Sequence, residues 1–380
     1  MNLWNQQWEA LHVTRQQEGT SERIMSVDAL RGFDMFWIIG GKLIFQGLND
    51  ACDIPATRWI MSQLKHSVWY GFTFWDIIMP LFMFLVGISM TYSMRKRLSA
   101  EPSKRKLWKH IAFRLVLLWI LGMAVQGKLL TYDIHQMKLY SNTLQAIAAG
   151  YLLASLFILY LPVLHQLFAT IGLMLLYWAV FLLIPVPGIG AGSYSADGNI
   201  AIYLDKMILG GFQDGTTYTW LISSLNFGAT TMLGVLAGYV LQLKTMPQEK
   251  FWRLVVIGFV LVLIGLLWSV WHPSIKHIWT SSFVLFSGGL CFLLLAGFYG
   301  VIDVLQIRAW SLPFIVIGSN AIAAYVSAEV FDFRLIAKVF VEGLEQYVGT
   351  WYPLFLAVGG VAVLYLILLY LYKKKIYIKI

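Results

Sequence analysis

Charge is scarce in this chain of 380 residues: Asp, Glu, Lys and Arg together make up 12% of it, against 59% hydrophobic residues and a mean hydropathy of +0.71. A water-soluble globular protein needs roughly a quarter of its residues charged to cover its surface, so that class is excluded. Disorder is excluded too, because disordered chains combine high charge with low apolar content. Cysteine is nearly absent. The two present, Cys52 and Cys291, fall in a predicted loop and a predicted membrane span, so neither a disulfide framework nor a cysteine-built metal site follows, and no metal is expected. Also missing are a Walker loop, a dinucleotide fingerprint in a strand-helix-strand context, a His-Glu-x-x-His motif and a nucleophile-elbow serine. Nucleotide hydrolysis, hydride transfer and zinc proteolysis therefore lack support.

What the chain has is apolar runs. A helix needs about 20 apolar residues to cross the hydrocarbon core, and about ten such runs occur, near 26–48, 71–94, 111–130, 142–162, 166–186, 221–243, 253–271, 281–302, 310–330 and 353–372. The expected fold is all-α, a polytopic integral membrane protein with about ten transmembrane helices in one domain, 26–372. A polar N-terminal segment, 1–25, precedes it and a basic tail, 373–380, follows. Between the fourth and fifth runs, Pro162 and the polar pair His165 and Gln166 suit a tight reversal.

The net charge of +9 resides in clusters between these runs, so it reads as topology and implies no nucleic-acid partner. With both termini cytoplasmic, 19 of the 28 Lys and Arg residues fall inside and 9 outside, the bias that the positive-inside rule expects. The link from Arg95 to Arg114 and the tail residues Lys373, Lys374, Lys375 and Lys379 contribute most. The first 25 residues lack the basic patch, short apolar core and cleavage site of a secretory signal, so the first run is expected to be retained as a span. An outside loop at 187–220, rich in Gly, Ser, Asp and Thr, is long enough to suggest a lid or a substrate-contacting element.

Ionisable groups inside a bilayer cost several kcal/mol and usually face a cavity or a partner. Asp28, Arg31 and Asp34 recur every three residues at the start of the first run, so on a helix they share a face and form an ion triad. A structural salt bridge accounts for them as well as a site does; the functional version places the Arg31 guanidinium where it suits a phosphate. His66 sits at the outer boundary and Asp76 up to about 15 Å deeper if the segment is helical throughout. A direct bond between them requires a non-helical start, for which Gly71 has the freedom. His takes or gives a proton near neutral pH, and a buried carboxylate would hold its tautomer. A wetted interfacial His and an Asp capping a neighbouring helix are the bland reading of the same residues.

Other polar groups fall at the same outer level: Ser141, Asn142, Thr143 and Gln145 before the fourth run, and Lys276, His277, Trp279, Thr280, Ser281 and Ser282 before the eighth. The ninth run carries Asn320 at mid-depth and Glu329 near its outer end. Each alone is more often a cap, an interhelical bond or part of an aromatic belt. Together they point to a polar cavity near the outer leaflet, with Trp279 available to stack on a sugar and Lys276, Asn320 and Glu329 to bind it.

Two strings carry a resemblance. Ser26, Asp28, Arg31 and Gly32, followed by His66, Trp69, Gly71, Thr73, Asp76, Pro80, Phe82, Phe84 and Gly87, resemble the heparan-alpha-glucosaminide N-acetyltransferase family of multi-span acetyltransferases. The similarity continues weakly through Arg114, Leu144-Gln145, Trp279-Thr280-Ser281-Ser282 and Gly318-Ser319-Asn320 to Glu329, while Ala146 and Ala328 stand where members tend to have Arg and His. The resemblance implies an enzyme of the acyltransferase type in a bacterial inner membrane, moving an acetyl group from cytoplasmic acetyl-CoA to an amino sugar or glycan on the far side. His66 would be the catalytic histidine, as general base or acetyl carrier, with Asp76 beside it. Arg31, Arg114, Asn142, Gln145 and Ser281 are the expected acetyl-CoA contacts, with Asn142 or Gln145 also placed to meet a developing oxyanion. A sugar or small-anion transporter and a polysaccharide O-acetyltransferase are the competing readings, and a homodimer is left open.

Overall fold

The computed structural model describes residues 24–100 and 103–378. The stretch 1–23, most of the polar N-terminal segment expected at 1–25, and Lys379 of the basic tail lie outside the described residues. Apart from one isolated bridge between Val186 and Gly190, every regular element among the described residues is helical. In chain order the helices are α1 (Met25–Phe36), α2 (Lys42–Ala51), α3 (Pro55–Gln63), α4 (Ile78–Ala100), α5 (Lys104–Val125) and α6 (Thr143–Tyr160). Then come α7 (Val163–Leu183), α8 (Ile200–Leu209), α9 (Ser223–Gln242), α10 (Pro247–Trp268) and α11 (Ser281–Tyr299). The chain ends with α12 (Leu312–Ser319), α13 (Ala321–Val330), α14 (Phe333–Val341), α15 (Glu345–Val348) and α16 (Tyr352–Lys373).

Eight helical stretches among the described residues are long and apolar enough to cross a membrane, or nine if the bent pair at Asn320 counts as one span. This is a polytopic membrane protein, and the shortfall from about ten lies at the first run. There α1 and α2 are joined by a π-helical turn, Trp37–Gly41, in which Gly40 leaves helical backbone. A side chain at Gly40 would meet Val361 of α16, so the break is packed in place. Asp28, Arg31, Asp34 and Lys42 also interrupt the apolar run, and neither half is long enough to span alone. The ion triad is not closed: Arg31 bonds Asp28 at 3.2 Å and the Ser89 hydroxyl at 2.5 Å, whereas Asp34 is fully buried with neither oxygen bonded among the described residues.

The centre of the fold is the crossing of α4 and α9, whose apolar windows are 78% and 72% buried; α5 and α10, at 17%, present most of their surface outward. Small residues permit the crossing. A Cβ on Gly87 would lie 2.0 Å from the Thr231 carbonyl oxygen, and one on Gly234 would lie 1.9 Å from that of Phe84. The last glycine of the long motif is thus a packing residue. The reversal expected at Pro162 is present, with α6 ending at Tyr160 and Pro162 capping α7. The long loop 187–220 contains α8, and its last residues return over the ends of α4 and α6.

Candidate active site

On one continuous helix the ten residues from His66 to Asp76 would hold their side chains about 15 Å apart. The chain leaves helical form over residues 65–73, and Gly71 takes φ +102°, a backbone region that side-chain-bearing residues avoid. A single helical turn, Phe74–Ile77, then leads into α4. The result is a direct contact of 2.8 Å between His66 Nδ1 and Asp76 Oδ1.

Asp76 is fully buried, and its other oxygen, Oδ2, accepts from the backbone N–H groups of Ser67 and Thr73 at 3.3 and 3.0 Å. One carboxylate therefore closes the loop and orients the imidazole. An ionised carboxylate only accepts, so a ring hydrogen given to Asp76 sits on Nδ1 and leaves Nε2 with its lone pair. His66 is 39% exposed, and Nε2 has no protein partner among the described residues. Burial lowers the His66 pKa; the bond to Asp76 raises it, and the charges of Lys276 and Lys42 lower it further.

Lys276 is the third member of this cluster. Its Nζ lies 2.9 Å from His66 Nδ1 and 3.4 Å from Asp76 Oδ1, and the side chain is 3% exposed. Burial pulls its ammonium down to about 8, against the attraction of Asp76.

His66 and Lys276 line a cavity of about 350 Å³. One end is polar and aromatic, with Trp75, Asp214, Thr216, Tyr218, Trp220, Gln126 and Glu329; the other is a floor of Met35, Ile38, Phe82 and Ile147. Asp214 is held by the Trp220 indole N–H at 2.9 Å, and Glu329 accepts from the Gln126 side chain at 3.4 Å. Lys42 of α2 places its ammonium 4.8 Å from the centre of the Trp75 ring.

The expected site residues divide into five groups. His66, Asp76 and Lys276 converge, and Glu329 and Asn142 line the same cavity. Asn142 caps α6, its Oδ1 accepting from the backbone of Leu144 and Gln145, while one Nδ2 hydrogen goes to Gln145 Oε1 at 2.9 Å. Gln145 is fully buried beneath it and bonds Ser141 N and Leu139 O, so it braces Asn142 and does not line the cavity.

Arg31 and Arg114 lie past the cavity floor. Arg31 precedes Met35 by one turn of α1, and its partner Ser89 follows Phe82 by two turns of α4. The Arg114 guanidinium sits 4.3 Å from the centre of the Tyr151 ring, one turn beyond Ile147, and its Nε is buried without a partner among the described residues. These offsets put both arginines about 6 to 10 Å beyond the floor.

The remaining three residues stand elsewhere. Trp279 is core: 2% exposed, between Phe227 and Phe283, with its N–H on Thr230 at 3.0 Å. Ser281 is fully buried and donates to the Met174 carbonyl at 2.8 Å. Asn320 is not at mid-depth in a cavity but at the break between α12 and α13, where its amide bonds the backbone of Ile376 and Ile378. The aromatic wall of the cavity comes instead from Trp75, Tyr218 and Trp220, of which two belong to the loop that the sequence had marked for its length.

No group of three or more His, Cys, Asp or Glu side chains able to hold a metal occurs among the described residues. Residues 23–186 match the family model described as heparan-alpha-glucosaminide N-acetyltransferase, catalytic. Two curated relatives carry that name. The protein of Homo sapiens is 25% identical over 381 residues, covering 82% of this chain and 53% of its own, and that of Mus musculus is 24% identical over 380 residues, covering 83% and 55%. The chain thus spans about half the length of the curated relatives it matches. Across residues 23–186, with both motifs and the His66–Asp76 pair inside the matched stretch, this chain is similar to the heparan-alpha-glucosaminide N-acetyltransferase family.

Proposed function

We propose that this protein is a transmembrane acetyltransferase that moves an acetyl group from cytoplasmic acetyl-CoA to the amine of an amino sugar on the opposite side of a bacterial inner membrane. The observation that carries this reading is an imidazole whose Nδ1 is fixed by a buried carboxylate and whose Nε2 stands unbonded at a cavity with a polar, aromatic mouth and an apolar floor. The relatives named for a glucosaminide acceptor favour the amine. Asp214 and Glu329 match a cationic amino group, and Trp75, Tyr218 and Trp220 present ring faces to a sugar. Arg114 and Arg31, past the floor, suit the phosphates of CoA, with the thin pantetheine arm lying between them and the cavity.

Direct transfer fits the cluster. The acceptor nitrogen attacks the thioester carbonyl and gives its proton to His66 Nε2; the new C–N bond forms, and the C–S bond breaks as the same proton passes to the departing sulfur. Asp76 stabilises the transient imidazolium, and the second Nδ2 hydrogen of Asn142 is available to the oxyanion. Purified protein given acetyl-CoA and glucosamine should release free CoA and an amide product, and His66→Ala should stop both. Sugar uptake into vesicles without CoA turnover would favour a transporter, and an ester product would favour O-acetylation. An acetylated protein trapped with labelled acetyl-CoA alone would replace direct transfer by a ping-pong route through His66. Vesicles with acetyl-CoA confined to one face report the sidedness.

A further inference from the structure

Three side chains, His66, Asp76 and Lys276, meet at one carboxylate oxygen, that of Asp76, and the proposed reaction uses only the first two. The third, Lys276, comes from the turn ahead of α11. Ile275, Ile278 and Trp279 are buried around it, and the Thr280 hydroxyl closes the turn by accepting from Ile275 N at 3.0 Å. A lysine at a membrane boundary ordinarily stretches its ammonium to water. Lys276 does the reverse, ending 2.9 Å from His66 Nδ1 with 3% of its surface exposed.

Nδ1 has one hydrogen-bonding position, and two groups compete for it. If Nδ1 carries the hydrogen and gives it to Asp76, Nε2 is free to accept a proton. If Lys276 donates to Nδ1, the hydrogen sits on Nε2 and the ring is no base. The two neighbours also oppose each other in charge: the carboxylate favours an imidazolium, and the ammonium disfavours it.

We infer that Lys276 is a positioning residue for His66, its cation balancing Asp76 so that the imidazole takes the proton from the acceptor amine and surrenders it to the departing sulfur. This deepens the acetyl-transfer reading and rests on it. With Asp76 alone the ring would hold its proton; with Lys276 alone it would hold the wrong tautomer. The other titratable groups facing His66 act from further off. Lys42 lies over the Trp75 ring, Tyr218 meets His66 edge to face at 6.2 Å, His277 is stacked behind Tyr218 at 4.2 Å, and Asp214 and Glu329 line the mouth of the cavity.

The test compares Lys276→Met, which keeps the length and removes the charge, with Lys276→Arg, which keeps the charge. The ionisation of His66 is read from the pH dependence of its modification by diethyl pyrocarbonate, quantified on the His66 peptide by mass spectrometry, and from the acid limb of kcat/KM. The expected result is a midpoint raised by about 1 unit or more in Lys276→Met, with the acid limb following, and a wild-type midpoint in Lys276→Arg. An unmoved midpoint in Lys276→Met overturns the inference even if activity falls, because a structural role alone lowers activity at every pH. If the Met variant does not accumulate, Lys276→Gln, neutral but still a donor to Asp76, gives the same reading. The modification needs no acetyl-CoA, so a wild-type protein without acetyl transfer sinks the proposed function while the midpoint still judges the charge balance.

Discussion

His66 and His272 both lie next to the ends of membrane spans, both bond through Nδ1, and their chemistry diverges at the other nitrogen. His272 is fully buried. Its Nδ1 meets the Tyr194 hydroxyl at 2.8 Å, its Nε2 accepts from the backbone of Ser281 at 3.0 Å, and the rings of Tyr177, Trp178, Phe181 and Trp268 surround it. Burial pushes its pKa down to about 3, and no carboxylate opposes this. His66 has one nitrogen fixed by a carboxylate and one left for a ligand. A histidine with both nitrogens matched inside the protein is a strut; one matched only on its inner side is placed to react.

The comparison breaks most sharply in activity. His66→Ala should lower acetyl transfer by about 10² to 10⁴-fold, the usual contribution of a positioned base, with the melting temperature in detergent close to wild type. His272→Ala should do the opposite. It strands Ser281 N and the Tyr194 hydroxyl, a destabilisation of about 1–3 kcal/mol, while the protein that remains folded keeps its turnover. Equal losses of activity from both variants at matched folded protein would erase the distinction.

Asp76→Asn sharpens it further. The amide oxygen can still serve the backbone of Ser67 and Thr73, but the amide nitrogen then faces His66 Nδ1 and drives the ring hydrogen onto Nε2. Loss of transfer on the order of 10²-fold with the fold retained is expected, and a ¹⁵N spectrum of the labelled imidazole should report the exchanged tautomer.

The two histidines also separate in pH. Burial lowers the His66 pKa on balance, so kcat/KM should hold as pH falls and decline only below the ordinary imidazole value of about 6.5. His272 acts on stability. Below about pH 6.5 the unfolded chain binds a proton at this residue that the folded protein refuses until about pH 3, so stability should drop as pH falls through that window. Melting temperature against pH in wild type and His272→Asn checks this: the variant's slope should be the shallower.

Sequence made the membrane class, the helical period and the His66–Asp76 pair legible, because each has a local cause: long apolar runs, a carboxylate ten residues from a histidine, and a glycine able to turn the chain between them. It did not separate Trp279 from Trp75 and Tyr218. All are aromatic residues near a predicted boundary, and only the packing of α9 against α11 shows that Trp279 faces inward. Asn320 misled for a related reason. A polar residue inside an apolar run reads as cavity-lining, but its partners, Ile376 and Ile378, lie 56 and 58 residues away in the tail. Lys276 was visible as a lysine near the outer boundary, but its convergence on Asp76 spans 200 residues and has no local signature.

The smallest expected effect concerns the floor end of the cavity, where two arginines invite the same contrast as the two histidines. The Arg31 guanidinium is already matched by Asp28 and Ser89, so a phosphate arriving there must share it with a carboxylate. Arg114 rests on the Tyr151 ring and leaves Nε buried without an acceptor, a donor that costs free energy until an anion supplies one. If CoA phosphates bind at this level, Arg114→Ala should raise KM for acetyl-CoA by about 10-fold, the equivalent of one lost bond between charged groups, and leave KM for the amino sugar unchanged. Arg31→Ala should raise it less, since that guanidinium is already shared with Asp28 and Ser89 and has less to give a phosphate. Initial rates at saturating acceptor measure both, and a rise in acceptor KM with no change for acetyl-CoA would place the arginines outside the donor path.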